Sequence, residues 1–312
     1  MDRAGTSRRF FFLARARVAG EINYRRGMTE GREAGHGMGR PQRARRHARS
    51  LALLAAGAAV AGVALAAAAG APSRRGVWFC GDFESGDFRG WSWDLSRQEC
   101  AVVVTSPVRK GRYAARITLA PGDRGAGKPR SELKIADKEI ERAHGRQGSE
   151  IWYGWSLLIP IGYADPEDQF QILAQWHHRP SAPTSPTDRP TVTGPPPLAL
   201  YLDADAGQET LSLVARATSA SPPRTLATRQ VRRGAWIDLV IQIRCSTGSD
   251  GFVAAWIDGK PFTAGSMKGP TLYTPTANYL RIGLYRGKGV QTTNSVYIDE
   301  VRVGDSYQAV AP

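Results

Sequence analysis

Cysteine is scarce: the 312-residue chain has three, Cys80, Cys100 and Cys245, in no Cys-x-x-Cys pair and with no His/Cys spacing that would hold zinc. A redox-active dithiol and a zinc module are thereby excluded. Gly-rich phosphate loops and a nucleophile elbow are missing too, which removes nucleotide-dependent and serine-hydrolase chemistry of the usual kinds. Beyond the N-terminal region there is no long amphipathic helix, so helical bundles and doubly wound α/β folds are poor descriptions. Acidic residues are outnumbered, 28 Asp and Glu against 42 Lys and Arg, for a net charge of +14. That excess is uneven. Residues 1–50 hold thirteen Arg against Asp2, Glu21, Glu30 and Glu33, whereas the other 262 residues carry only +5. A chromatin-type or ribosomal role is therefore poorly supported, and nucleic acid is not an expected partner.

What is present begins with an apolar stretch, 51–71, LALLAAGAAVAGVALAAAAGA, behind Arg43, Arg45, Arg46 and Arg49. A basic n-region, an apolar h-region and small residues near Ala69–Ala71 describe a secretory signal peptide. The stretch also has the roughly twenty residues of a membrane span, so a single N-terminal anchor is the alternative to secretion. Met28 and Met38 are alternative starts. Ser7-Arg8-Arg9-Phe10-Phe11-Phe12-Leu13 looks like a twin-arginine signal, but Arg15, Arg17, Glu21, Arg25 and Arg26 interrupt the apolar region that should follow. Export permits disulfides. With three cysteines at most one forms within the chain, and Cys80–Cys100 is the expected pair because both flank one loop-like segment.

From Val77 onward the pattern is short alternating runs punctuated by Gly, Pro, Asn and Asp: 101–105, 113–119, 151–159, 198–203, 209–216, 237–244, 252–257 and 296–303. Asp258-Gly259 marks a hairpin. Strands at this spacing predict an all-β fold of about 230 residues in one domain, 77–308, as a jelly-roll sandwich of two antiparallel sheets behind a leader of residues 1–71. Residues 178–197 hold seven prolines and cannot be a central strand. They read as an exposed loop, with a substrate-covering lid as the sharper alternative. Trp93, Trp152, Trp155, Trp236 and Trp256 are expected in the core.

Three further runs carry chemistry. Successive strand residues face opposite sides, so Arg130, Glu132 and Lys134 share one face with Leu133 opposite. In 170–177, Phe170, Ile172, Ala174 and Trp176 make an apolar face, opposite Gln171, Leu173, Gln175 and His177. In 279–286, Leu280, Ile282 and Leu284 face the core, while Tyr279, Arg281, Gly283 and Tyr285 face away. Three such strands describe the floor of a polar groove. His178 would point the other way and is assigned to the following loop.

Arg130-Ser131-Glu132-Leu133-Lys134, Gln175-Trp176-His177 and Tyr279-Leu280-Arg281-Ile282-Gly283-Leu284-Tyr285-Arg286 resemble, in order, the Arg-x-Glu-x-Arg, Gln-x-His and Tyr-x-Lys-x-Gly-x-Tyr-x-Gln motifs of jelly-roll polysaccharide lyases. Phe83-Glu84-Ser85-Gly86 and Trp256-Ile257-Asp258-Gly259 resemble the heparinase I and glucuronan lyase branch. Lys134, Arg281 and Arg286 depart from the motifs; the first two keep the charge but not its geometry. The resemblance implies a secreted, monomeric lyase that acts by β-elimination on an anionic, uronate-containing polysaccharide of the glucuronan, alginate or heparin kind and needs no catalytic cofactor. Implied catalytic residues are His177, Tyr285, Gln175, Arg130 and Arg281; implied substrate contacts are Glu132, Lys134, Gln171, Tyr279 and Arg286, with Glu132 orienting Arg130 or Lys134. It also implies a structural Ca²⁺ held by Glu84 and Asp299 together with backbone oxygens, hard donors that suit calcium, with ordinary surface carboxylates as the alternative. A noncatalytic carbohydrate-binding jelly roll is the rival expectation. A glycoside hydrolase needs two spaced carboxylates, and Asp203, Asp205 and Glu209 form no such signature.

Overall fold

The computed structural model describes residues 75–135, 141–165, 169–178, 194–205 and 208–312. The leader and most of the proline-rich segment, with the expectations attached to them, lie outside the described residues. The first half of the chain supplies β1 (Val77–Gly81), β2 (Trp91–Asp94), β3 (Ala101–Val104), β4 (Ala114–Leu119), β5 (Arg130–Ile135), β6 (Glu150–Leu158) and β7 (Gln171–His178). The second half supplies β8 (Leu198–Asp205), β9 (Gln208–Ala215), β10 (Arg224–Val231), β11 (Trp236–Arg244), β12 (Phe252–Ile257), β13 (Lys260–Pro261), β14 (Met267–Lys268), β15 (Asn278–Arg286) and β16 (Asn294–Gly304). A single turn of helix, α1 (Tyr307–Val310), follows β16.

Among the described residues these strands form two antiparallel sheets. One has the order β13-β12-β11-β6-β16-β4-β3, with β1 also on β16 and β14 also on β12; the other has the order β10-β9-β8-β7-β15-β5-β2. Both put sequence-distant strands side by side, as a jelly roll does. Apolar side chains from both inner faces fill the space between the sheets: Ile117, Tyr153, Trp155, Leu239 and Ile298 from the first, Leu133, Trp176, Leu200, Leu213 and Ile282 from the second. Tyr153 meets Trp176 edge-to-face at 5.4 Å, and its buried hydroxyl donates to the Ala143 carbonyl at 3.2 Å. The alternation read from sequence therefore has a simple cause: one face of each strand is dehydrated in this core.

Several expectations change. Cys80 and Cys100 are free thiols; Cys80 lies against Asp82 and Cys100 against Asp123, each engaged locally. Trp155 is core, but Trp93 is 44% exposed, because β2 is the edge strand and has no neighbour to cover it. Trp152 and Trp256 stack at 5.5 Å in a small separate cluster with Val310, outside the main core. Trp236 is only partly buried. His178 belongs to β7, paired with Asn278, and its ring stacks on that of His177 at 4.7 Å.

Candidate active site

The outer face of the seven-stranded sheet is built around β15, which pairs with β5 on one side and β7 on the other. The register sets Arg281 against Lys134, Gly283 against Glu132 and Tyr285 against Arg130. On the other side, Tyr279 lies opposite His177 and Arg281 opposite Gln175. Directly opposed residues project to the same face, so Arg130, Glu132, Lys134, Gln175, His177, Tyr279, Arg281 and Tyr285 share one surface. Gly283 is required where β5 and β15 approach. Its φ is +144°, and a Cβ there would lie 2.3 Å from the Ser131 carbonyl oxygen. Its role is thus to let the two backbones come into contact.

Gln171 and Arg286 turn inward, Arg286 by the plain alternation of β15 that also buries Leu284 and Ile282, Gln171 for a different reason. The register of β7 breaks around Leu173 against both neighbours, and such a bulge reverses the alternation on either side of it. Ile172 therefore lies opposite Tyr285, and Gln171 opposite Arg286. Leu173 and Ala174 both face the core. Gln171 is 0% and Arg286 2% exposed; Gln171 accepts a hydrogen bond from the buried Tyr163 hydroxyl. Burial lowers the basicity of Arg286 and pushes the Tyr163 phenol up, Arg286 offsetting part of the latter. The expected substrate contacts at Gln171 and Arg286 are thereby corrected to an internal polar pair. Phe170, expected on an inward apolar face, packs edge-to-face on Tyr285 at 5.3 Å.

Glu132, 1% exposed, is the hub of the surface. It accepts from Arg130 at 3.1 Å, from Arg281 at 3.5 Å and from the Gln175 amide. Lys134 is held instead by Asp94, at 2.8 Å, and Asp94 also accepts from Arg281. Burial would raise the Asp94 carboxyl, but Lys134 and Arg281 hold it below its ordinary range. Burial likewise works against the Arg281 cation, and Glu132, Tyr279 and Asp94 outweigh it. The Tyr279 hydroxyl accepts from Arg281 at 2.6 and 3.1 Å, which makes Tyr279 a support for Arg281. Three cations thus face two carboxylates, leaving an excess of positive charge.

His177 is buried, and burial, with help from Arg281, His178 and Arg130, lowers its pKa to about 3; a backbone hydrogen bond at His178 opposes the drop. Its Nδ1 lies 3.1 Å from the His178 carbonyl oxygen. A carbonyl only accepts, so Nδ1 carries the proton and Nε2 is left with a lone pair. Tyr285 is half-buried, with the Arg130 guanidinium 4.2 Å above its ring.

Asp94 escaped the sequence reading, although the alternation of Trp91-Ser92-Trp93-Asp94 signals a strand. Tyr201 escaped it too. It stands opposite Ile172 and Ser212, on the same face as Tyr285.

Glu84 and Asp299 both bind loop 109–113. Glu84 accepts from the backbone N–H groups of Arg112 and Tyr113, and Asp299 from those of Arg109 and Lys110. Burial raises the Asp299 carboxyl to about 6. Oxygens aimed at N–H donors are a poor fit to a cation, and among the described residues no cluster of three His, Cys, Asp or Glu side chains forms a metal site. These two carboxylates clamp a loop.

The polysaccharide lyase family matches residues 83–302. Among solved structures the fold is similar to the endo-β-1,4-glucuronan lyase from the fungus Trichoderma reesei, with TM-score 0.54 and 22% identity over 76% of this chain and 98% of that one. It is also similar to alginate lyase A1-II', a member of polysaccharide lyase family 7, with TM-score 0.51 and 11% identity over 73% and 99%. No curated protein sequence matches the chain.

Proposed function

The chain belongs to the polysaccharide lyase family and is an enzyme of that class; from that premise, we propose that it cleaves an anionic, uronate-containing polysaccharide by β-elimination. The observation that carries this reading is the meeting of a neutral histidine, a cation-backed phenol and excess positive charge on one surface. The C5 proton of a uronate is weakly acidic, so its carboxylate must be neutralised as the proton leaves. Arg281 and Arg130 supply the charge, and the Gln175 amide, fixed by Glu132, hydrogen-bonds the carboxylate.

A base then takes the C5 proton, its electron pair forms the C4–C5 double bond, the C4–O4 bond breaks, and O4 leaves with a proton from Tyr285. Configuration decides the base. In iduronate or guluronate, H5 and O4 leave from opposite sides, and Nε2 of His177 takes the proton. In glucuronate they leave from the same side, so Tyr285 serves as base and then acid, with Nε2 of His177 left to accept a hydrogen bond from a sugar hydroxyl. The same reading makes residues 1–71 an export leader, which N-terminal sequencing of protein from the culture medium tests.

The deciding experiment incubates the full chain with glucuronan, alginate, heparin, hyaluronan and pectate and follows the ultraviolet absorbance of 4,5-unsaturated uronate. New reducing ends without that absorbance mean hydrolysis, and binding without either means a noncatalytic carbohydrate-binding protein. Tyr285→Phe should abolish turnover and leave binding intact; surviving activity refutes the acid assignment.

A further inference from the structure

Beyond the catalytic groups, the β8–β9 side of the same surface carries a second cluster. Tyr201 lies in the row of Tyr285, one strand past β7. Arg216 directly follows β9; it is two residues beyond Val214, which stands opposite Ala199, and so continues the outward-facing series Thr210, Ser212, Val214. Arg216 lies near enough to Tyr201 to offset part of the rise that burial imposes on its phenol, and it donates a hydrogen bond to the Ser221 carbonyl at 2.7 Å. Tyr273 adjoins both: its ring packs 5.2 Å from that of His178, and Arg216 offsets part of the burial that raises its phenol to about 12.

Two features separate this cluster from a structural one. Arg130, Lys134 and Arg281 each face a carboxylate, whereas Arg216 pairs with none among the described residues. Beside it, the Tyr273 hydroxyl and Nδ1 of His178 are buried with no protein hydrogen-bond partner among the described residues. Buried polar groups normally have a partner. An unpaired guanidinium next to unsatisfied polar atoms, within two strand spacings of β7, or about 10 Å, is complementary to a carboxylate with hydroxyls around it.

We infer that Arg216, Tyr201, Tyr273 and His178 form a second uronate subsite, binding the carboxylate and hydroxyls of a sugar next to the one that is cleaved. This rests on the uronate-lyase reading above and adds where a neighbouring residue of the polymer is gripped. Because the contact is remote from the bond that breaks, it is made equally in ground and transition states and acts on KM.

The test uses full-length wild type, Arg216→Gln, Arg216→Lys and Tyr273→Phe on whichever of the five polymers gives unsaturated product. Arg216→Gln should raise KM about tenfold or more, the scale of a lost charge-assisted hydrogen bond, with kcat within about twofold; Arg216→Lys should recover part of the loss. Tyr273→Phe removes a hydroxyl that makes no hydrogen bond among the described residues, so its Tm should not fall while KM rises. An unchanged KM in Arg216→Gln and Tyr273→Phe overturns the proposal, as does a KM rise explained by a falling Tm in Tyr273→Phe. If no polymer is eliminated, the lyase reading fails, and the subsite is judged by calorimetry with glucuronan and alginate hexasaccharides. Weaker binding to Arg216→Gln then sustains it. Equal binding, or no binding to wild type, refutes it.

Discussion

Gly283→Ala tests how the groove floor is held together. The glycine has φ +144°, a region that residues with a Cβ rarely adopt, and an added methyl would stand 2.3 Å from the Ser131 carbonyl oxygen and 3.1 Å from the Glu132 Cα. Both obstacles are backbone of β5, which cannot swing aside as a flexible side chain would. Backbone strain of this kind costs about 1–3 kcal/mol, and overpacking a close contact about another 1–3 kcal/mol. For a domain of this size 1 kcal/mol moves Tm by about 2–4 °C, so a fall of about 5–20 °C is expected by calorimetry. The relief available is to push β5 away from β15, which separates Arg130 from Tyr285 and Glu132 from Arg281. A misplacement of about 1 Å can cost 100-fold in rate, so kcat/KM should drop by about that much in the folded variant. Gly162→Ala is the control, because nothing lies within 4 Å of a Cβ there, and it should match wild type. If Gly283→Ala keeps both its Tm and its kcat/KM, the close approach of β5 and β15 is not what positions the site.

Three other outcomes follow from the same geometry. Glu132→Ala removes the acceptor of Arg130, Arg281 and Gln175, leaving the buried Arg130 without a carboxylate and Arg281 with Asp94 alone, which should cost about 3–5 kcal/mol in denaturant unfolding; a loss below about 1 kcal/mol would mean that the network does not hold the site. His177, with a folded pKa of about 3 against 6.5 in the unfolded chain, binds fewer protons when folded between those values. Its contribution to stability therefore rises with pH across that window and is lost as pH falls toward 3, and its imidazole NMR signals should show no titration between pH 5 and 8; a midpoint near 6.5 contradicts its burial. Chelation with EDTA should leave Tm unchanged, since Glu84 and Asp299 hold backbone N–H groups; a clear fall would restore calcium to loop 109–113.

Which residues form strands was legible because strand alternation is local. Leu280, Ile282 and Leu284 against Tyr279, Arg281 and Tyr285 can be sorted with no knowledge of any neighbour, and the structure keeps that sorting. The motif strands β5 and β15, the faces of Arg130, Glu132, Lys134, Gln175 and His177, and a two-sheet all-β fold followed from this period of two. Arg286 falls on the inward side of β15 by the same alternation, and only the motif resemblance made it a substrate contact; Gln171 was beyond its reach. The bulge around Leu173 arises from how β7 meets β8 and β15 together, and one extra residue in a ladder reverses every side chain past it. Asp94, Tyr201, Arg216 and Tyr273 were equally hidden, since each acquires its partners from strands or loops distant in sequence. Composition and period thus determined the strands and the polar character of one face. Register between strands, a sum over contacts between distant segments such as Asp94 and Arg281, 187 residues apart, decided which of those polar groups meet.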